Sequence, residues 1–418
     1  MASVSFNFKT IATLLILGGC SAFGAYATIG TGLRTGLFAA LRKGAGPKVA
    51  AESKRYLAGP EPYKTTFTGL PFIDNQLCTL VGFFTVLLDG PKTLDVSLVS
   101  WYLFTQLLAG WILVSLEGLR QGNQGRIVSR TGTLGFIFQI ITFTVAVPIW
   151  LIIHVLTSPL SQSTPSANAL AIDVQDLYIL PKVVFSAFVL PGFLMFLPSP
   201  DYVSATAHYN WQAVWQVFPV AQSIYHWFYK RTTALIDFKS SKAPEQLNEI
   251  YRFVLILSFV PQTALLVLAA TPAHLVPHAV ESFIPGITQG IVSQIDITKA
   301  FIPDLPWDLP IVHGAEGVDA VSVSVLVKQV KMFLQWDIYC GGLALLTWSA
   351  FVYSAALPGK AFLSTTLPKA LWATVFGGPV GAATLLLWDR DTAVRERSTV
   401  AKPVVTVKGG EKKKKVAL

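Results

Sequence analysis

Residues 98–118 read LVSWYLFTQLLAGWILVSLEG, an apolar run with a single acid near its end. A helix needs ~20 such residues to cross the hydrocarbon of a bilayer. Runs of this kind recur at 10–29, 72–90, 131–154, 180–198, 211–228, 253–270, 333–356 and 370–388. A soluble core cannot bury that many of them. The composition agrees, since 52% of the residues are hydrophobic and only 13% charged. The fold class that follows is all-α: a polytopic integral membrane helical bundle of about 8–9 transmembrane helices. The more polar 211–228 run is counted as the sixth of nine.

The net charge of +9 does not point to nucleic acid, because much of it lies in one loop and in the tail. Arg34, Arg42, Lys43, Lys48, Lys54, Arg55 and Lys64 fill the connection between the first two runs. Positive loops face the cytosol, which puts the N-terminus in the lumen and, after nine spans, the C-terminus in the cytosol. Residues 10–29 read as a signal-anchor, with small residues at 24–27 that also suit cleavage. The chain divides into one transmembrane domain, 1–391, and a disordered basic tail, 392–418. The tail ends KKKKVAL, similar to a dilysine signal of the endoplasmic reticulum. Within the connection from 271 to 331, the stretch VESFIPGITQGIVSQI reads as interfacial or re-entrant.

What is missing narrows the chemistry. There is no Gly-rich phosphate loop and no DDxxD pair to hold magnesium on a diphosphate. His274 and His278 have the HxxxH spacing of a di-iron box, but Pro277 interrupts it and four other histidines are too few for that ligand set. Cys20, Cys78 and Cys340 make neither a disulfide framework nor a zinc site. The expectation is a chain with no cofactor and no metal.

Carboxylic acids remain at the ends of apolar runs: Asp74, Glu117, Asp201, Asp337 and Asp389. An ionisable group in a membrane helix is a functional hypothesis by default. Burial against hydrocarbon penalises the anion, and a carboxyl kept protonated is a usable general acid. Glu117, Asp74 and Asp337 are the candidate catalytic residues. Each also has a plain structural reading. Asp74 has the composition of a helix N-cap, Glu117 and Arg120 have the i, i+3 spacing of an ion pair, and Asp389 sits beside Arg390 as a solvated boundary residue. A cation formed in a dry pocket needs aromatic faces, for which Trp101, Trp111, Trp211, Trp215, Trp227 and Trp336 are available, unless they form an interfacial belt. Substrate-binding candidates are Arg120, Asn123, Trp111, His208, Asn210, Trp211, Trp215 and Trp336, with Gln212 and Gln216 beside them. The polar ones among these also suit bridges between helices.

Several short motifs form a pattern: FIDNQLC at 72–78, LEGLRQGNQGR at 116–126, WQAVWQVFPV at 211–220, GGPVG at 377–381 and LLLWDRD at 385–391. Together they resemble the fungal integral-membrane terpene cyclases of meroterpenoid biosynthesis, of the ascochlorin/ascofuranone type. The resemblance implies a metal-independent, class II-like cyclase whose acids protonate a terminal epoxide on a farnesyl-derived chain. Its partners would be a lipophilic prenylated substrate and membrane lipid. By motif it puts Asp74 in the first segment and Glu117, Arg120 and Asn123 in the second. This chain is longer than the compact seven-helix cyclases of related pathways, so the proton donor stays open. A sterol-type isomerase, a secondary-metabolite transporter and a scaffold without chemistry are the other readings. A transporter would show paired inverted repeats, and no such symmetry is visible.

Overall fold

The computed structural model describes residues 7–43, 63–89, 94–161, 164–271, 301–311, 323–358, 364 and 366–400. The first helix, α1 (Phe8–Thr35), contains a π turn at Tyr26–Gly30 and leads into the short α2 (Leu37–Lys43). Next come α3 (Pro71–Asp89) and α4 (Leu94–Leu119). They are followed by α5 (Thr131–Ile141) and α6 (Phe143–Thr157). α7 joins Val174–Val184 to Leu190–Phe196 through a second π turn, Phe185–Val189. α8 (Ala205–Gln216) and α9 (Phe218–Thr232) precede three long helices. These are α10 (Ala243–Ala270), α11 (Val323–Ala356) and α12 (Leu367–Val400). No strand occurs among the described residues.

Helix α4 is the centre of the bundle. A helix that is apolar all round belongs in a core, and 78% of the α4 span is buried, against 33% for the α1 and α10 spans. It packs against α3, α10, α11 and α12. Its Trp111 is fully buried, with the indole N–H donating to Gln222 Oε1 at 2.6 Å and the ring set edge-on to Phe138 and Phe218.

Nine spans are expected from the sequence; among the described residues, seven helices are long and apolar enough to cross a membrane. The other two runs are each broken. The run 131–154 is interrupted at Thr142, whose φ of 74° and ψ of 155° leave the helical region between α5 and α6. A β-branched residue there is strained by ~1–3 kcal/mol. The run 211–228 breaks at Val217, with Pro219 in the first turn of α9, and leaves Trp227 and Phe228 exposed. At the C-terminal end, α12 continues to Val400, so residues 392–400 are helical where a disordered tail is expected. Residues 401–418, the basic residues Lys48, Lys54 and Arg55, the 280–295 stretch and the His274/His278 pair lie outside the described residues.

Helix α12 is itself kinked. Gly378 takes φ 69°, a left-handed value suited to glycine, and Pro379 follows it. Such a break frees backbone carbonyls, which inside a membrane need partners from the protein. Gln106 Nε2 on α4 donates to Gly377 O at 3.0 Å, and Gln262 Nε2 on α10 donates to Thr374 O at 2.9 Å. The Thr263 hydroxyl reaches Phe376 O at 3.0 Å. The kink is therefore anchored to the central helix and to its neighbour.

Candidate functional site

Two of the polar groups inside the bundle contain candidate acids from the sequence, and they differ in kind. The first borders a cavity of about 290 Å³ lined from α1, α2, α3, α4, α5, α6, α8 and α11. On α3, Gln76, Thr79, Leu80 and Phe83 repeat at the i, i+3, i+4, i+7 spacing of one helix face. Phe83 meets Phe333 of α11 with ring centroids 4.7 Å apart, and Phe38 of α2 lies 6.1 Å from both. On the other side Phe84 stands edge-on to Trp215 at 5.1 Å, and Phe138 edge-on to Phe143 at 5.8 Å. Arg42 lies at the rim, exposed to solvent.

One turn beyond Phe333 sits Asp337, the one carboxylic acid among the lining residues. It is half-buried because it borders the cavity. Its Oδ1 accepts the backbone N–H of Thr144 at 2.8 Å, so α11 supplies a cap to the amino end of α6. The break at Thr142 creates this arrangement, since a continuous helix would have kept that N–H for itself. Two buried amide atoms also belong to lining residues: Gln139 Nε2 and Gln216 Oε1, neither with a partner among the described residues.

The second group is a buried ion cluster, two of whose members, Arg120 and Asp391, border a separate cavity of about 230 Å³. Glu117 is 1% exposed and accepts from three donors: Arg120 Nε at 2.7 Å, Arg390 Nη2 at 3.0 Å and His154 Nε2 at 3.1 Å. Arg120 also donates to Asp391 Oδ2 at 2.7 Å, to the Tyr251 hydroxyl at 3.0 Å and to Leu170 O at 2.7 Å. The Tyr251 hydroxyl donates to Asp391 Oδ2 at 2.7 Å, and Arg390 Nε to Asp391 Oδ1 at 3.0 Å. His154 Nδ1 accepts the Trp348 indole N–H at 3.1 Å, which leaves the ring proton on Nε2, facing Glu117. Asn123 Nδ2 closes the end of α4 on Glu117 O at 2.8 Å, and its Oδ1 accepts from Ser158. Two carboxylates and two guanidiniums thus balance inside the bundle, joining α4, α6, α10, α11 and α12. Glu117 is absent from the walls of the aromatic cavity.

Of the sequence candidates, Glu117, Arg120 and Asn123 come together in the cluster, while Asp337 and Trp215 come together at the cavity. Asp74 belongs to neither. Its carboxylate accepts from the backbone N–H groups of Phe67, Thr68 and Gly69 at 3.1, 2.7 and 3.0 Å and from the Thr68 hydroxyl at 2.9 Å. It fastens the turn that leads into α3, close to the capping alternative. His208 is buried against Asp89 at 3.0 Å and Gln212 at 2.9 Å. Asn210 is exposed and bound by Lys64 Nζ at 2.6 Å. Trp336 faces away from the cavity, its indole N–H on Asp304 O at 3.0 Å and its ring edge-on to Phe23 at 4.9 Å. Trp111 is core, and Trp211 packs on the outside of that core. Asp201 is exposed, and Asp389 forms a half-exposed pair with Lys369.

The family model of the CtvD domain matches residues 12–395. The chain belongs to the CtvD domain family. It is 27% identical over 342 residues to terpene cyclase ascI of Acremonium egyptiacum, covering 80% of this chain and 81% of that protein. It is 24% identical over 341 residues to terpene cyclase ctvD of Aspergillus terreus, covering 80% and 88%. Terpene cyclase verU1 of Penicillium polonicum is 24% identical over 337 residues, covering 79% and 82%. No solved structure matches. The CtvD match includes every residue of both groups, Asp391 among them. Sequence reasoning missed His154, Tyr251, Gln139 and the phenylalanines of the cavity. His154, an ionisable residue in an apolar run, carried a usable signal; a phenylalanine in such a run does not.

Proposed function

We propose that this chain is a membrane-embedded terpene cyclase in which Asp337 protonates the terminal epoxide of a farnesyl-derived chain borne by an aromatic or polyketide head. One observation carries the reading: a single carboxylic acid faces a cavity otherwise walled mainly by apolar and aromatic side chains. With Oδ1 occupied by the Thr144 N–H, the proton is carried on Oδ2. It passes to the epoxide oxygen as the bond from that oxygen to the more substituted carbon breaks. The electron pair of the neighbouring alkene closes the ring, and the positive charge moves along the chain past aromatic faces that stabilise it. A proton from a carbon beside the last cation returns to the Asp337 carboxylate, which restores the acid and leaves a product of unchanged composition. A proton donor that ends as a base and a cation-stabilising wall are what this sequence of steps requires.

The cluster around Glu117 serves as the frame rather than the donor, because three donors already occupy both oxygens of that carboxylate. The site belongs to one membrane domain of the endoplasmic reticulum. Seven crossings from a lumenal N-terminus, like nine, put the C-terminus in the cytosol.

The test is product analysis of microsomes expressing the full chain, fed a farnesylated phenol with a terminal epoxide. The wild type is expected to give an isomer of unchanged mass, and Asp337→Asn to lose it by ~10²-fold or more. Asn keeps an oxygen for the Thr144 N–H, so the variant should fold normally. Full turnover by Asp337→Asn would end the assignment of the donor. Recovery of intact epoxide from the wild type would end the substrate class.

A further inference from the structure

Glutamines inside this bundle mostly tie helices together through their amide nitrogens. Gln106 and Gln262 hold the α12 kink, Gln222 donates to Ser115 Oγ at 3.0 Å and Gln329 donates to Pro310 O at 2.8 Å. Gln139 is different, with the one buried side-chain amide nitrogen that has no partner among the described residues. Gln216 presents the complement. Its Nε2 donates to Gln212 O one turn back at 3.2 Å, which fixes the amide orientation and leaves Oε1 without a partner among the described residues. Both residues line the cavity that Asp337 borders, Gln139 from the end of α5 and Gln216 from the end of α8.

A buried amide group without a partner is costly, and apolar residues of similar volume would avoid that cost. Gln139 supplies a free donor and Gln216 a free acceptor in the cavity that Asp337 borders, where Thr142 Oγ1 and Trp215 Nε1 are also without partners among the described residues. The two amides together suit one oxygen of an occupant. We infer that Gln139 and Gln216 bind the substrate's reacting oxygen next to Asp337 and so determine which end of the chain is protonated. The Gln139 N–H donates to the epoxide oxygen before opening, and the hydroxyl created by opening donates to Gln216 Oε1. The inference rests on the cyclase reading above and adds the two groups that select an oxygenated terminus. A site that hydrogen-bonds a substrate oxygen rejects the analogue lacking it far more strongly than a purely apolar pocket can.

The test uses two probes with no epoxide to open: a farnesylated phenol ending in a tertiary alcohol, and its deoxy counterpart. Affinity for the full-length protein in detergent is read from quenching of tryptophan fluorescence, since Trp215 lines the cavity. The wild type is expected to bind the alcohol about tenfold or more tighter. Gln139→Leu and Gln216→Leu are each expected to remove most of that preference while binding the deoxy probe at least as well. Gln139→Asn and Gln216→Asn, which keep the amide but shorten it, provide the same comparison if a leucine variant does not fold. A preference unchanged in the variants, or parallel weakening of both probes, would mean that the amides hold only water or pack the helices, and the inference would fall. These probes do not need the proton donor, so loss of the Asp337 assignment would appear in the turnover assay alone.

Discussion

Glu117 and Asp337 are both carboxylic acids on long helices of the same bundle, yet their surroundings have opposite designs. Glu117 meets two guanidiniums and an imidazole N–H, with no adjoining space in the aromatic cavity. Asp337 accepts the Thr144 N–H, has the Phe143 N–H and the Thr142 side chain beside it, and opens on that cavity. Burial alone therefore does not mark a reactive acid. What separates the two is whether their partners leave room for a substrate and a proton to hand over. In the cluster the two carboxylates pair with two guanidiniums from different helices, the geometry of a clamp, although Arg120 and Asp391 also border a cavity of their own.

The largest effect that should divide the two regions is on turnover. Asp337→Asn is expected to lower kcat by ~10²–10⁴ with the thermal midpoint unchanged, read by product analysis beside thermal denaturation in detergent. The converse variant, Arg390→Leu, leaves Glu117 and Asp391 each short of a donor. Removing one partner of a buried ion pair costs ~3–5 kcal/mol, so the folded fraction and Tm should fall sharply while the surviving protein still converts substrate. Unchanged Tm in that variant would break the distinction between clamp and reactive site. Asp74→Asn should give a smaller loss of Tm, because the amide keeps only part of the four-donor arrangement around the 67–69 turn. Turnover per folded molecule should be unaltered, and a selective loss of turnover would return Asp74 to the list of donors. Asn210→Ala, which removes an exposed partner of Lys64, should move neither quantity measurably.

The helical membrane architecture could be read from the apolar runs because the bilayer imposes a length that few other folds need. The Glu117–Arg120 pair was legible too, since three residues bring two side chains to one face of a helix. Its completion was not. Arg390 lies 273 residues from Glu117, and only the packing of α12 on α4 and α10 brings it there. Asp337 was visible as an acid in an apolar run, but its cavity takes walls from several helices, and local spacing cannot report that. Trp336, its neighbour in sequence, points elsewhere because adjacent residues on a helix face different ways. The break at Thr142 was hidden for a different reason. No glycine or proline marks it, and the strain is held by contacts made from distant helices.

That break also has a consequence for timing. Neither α5, with 11 residues, nor α6, with 15, is long enough to cross a bilayer alone. Their junction leaves backbone groups that lipid cannot satisfy, and the carboxylate that receives the Thr144 N–H is encoded 193 residues downstream. The cap on α6 can therefore form only once α11 has been made and packed against it. A chain cut short before α11 would keep that exposed junction, which gives cellular quality control a feature by which to tell unfinished molecules from finished ones.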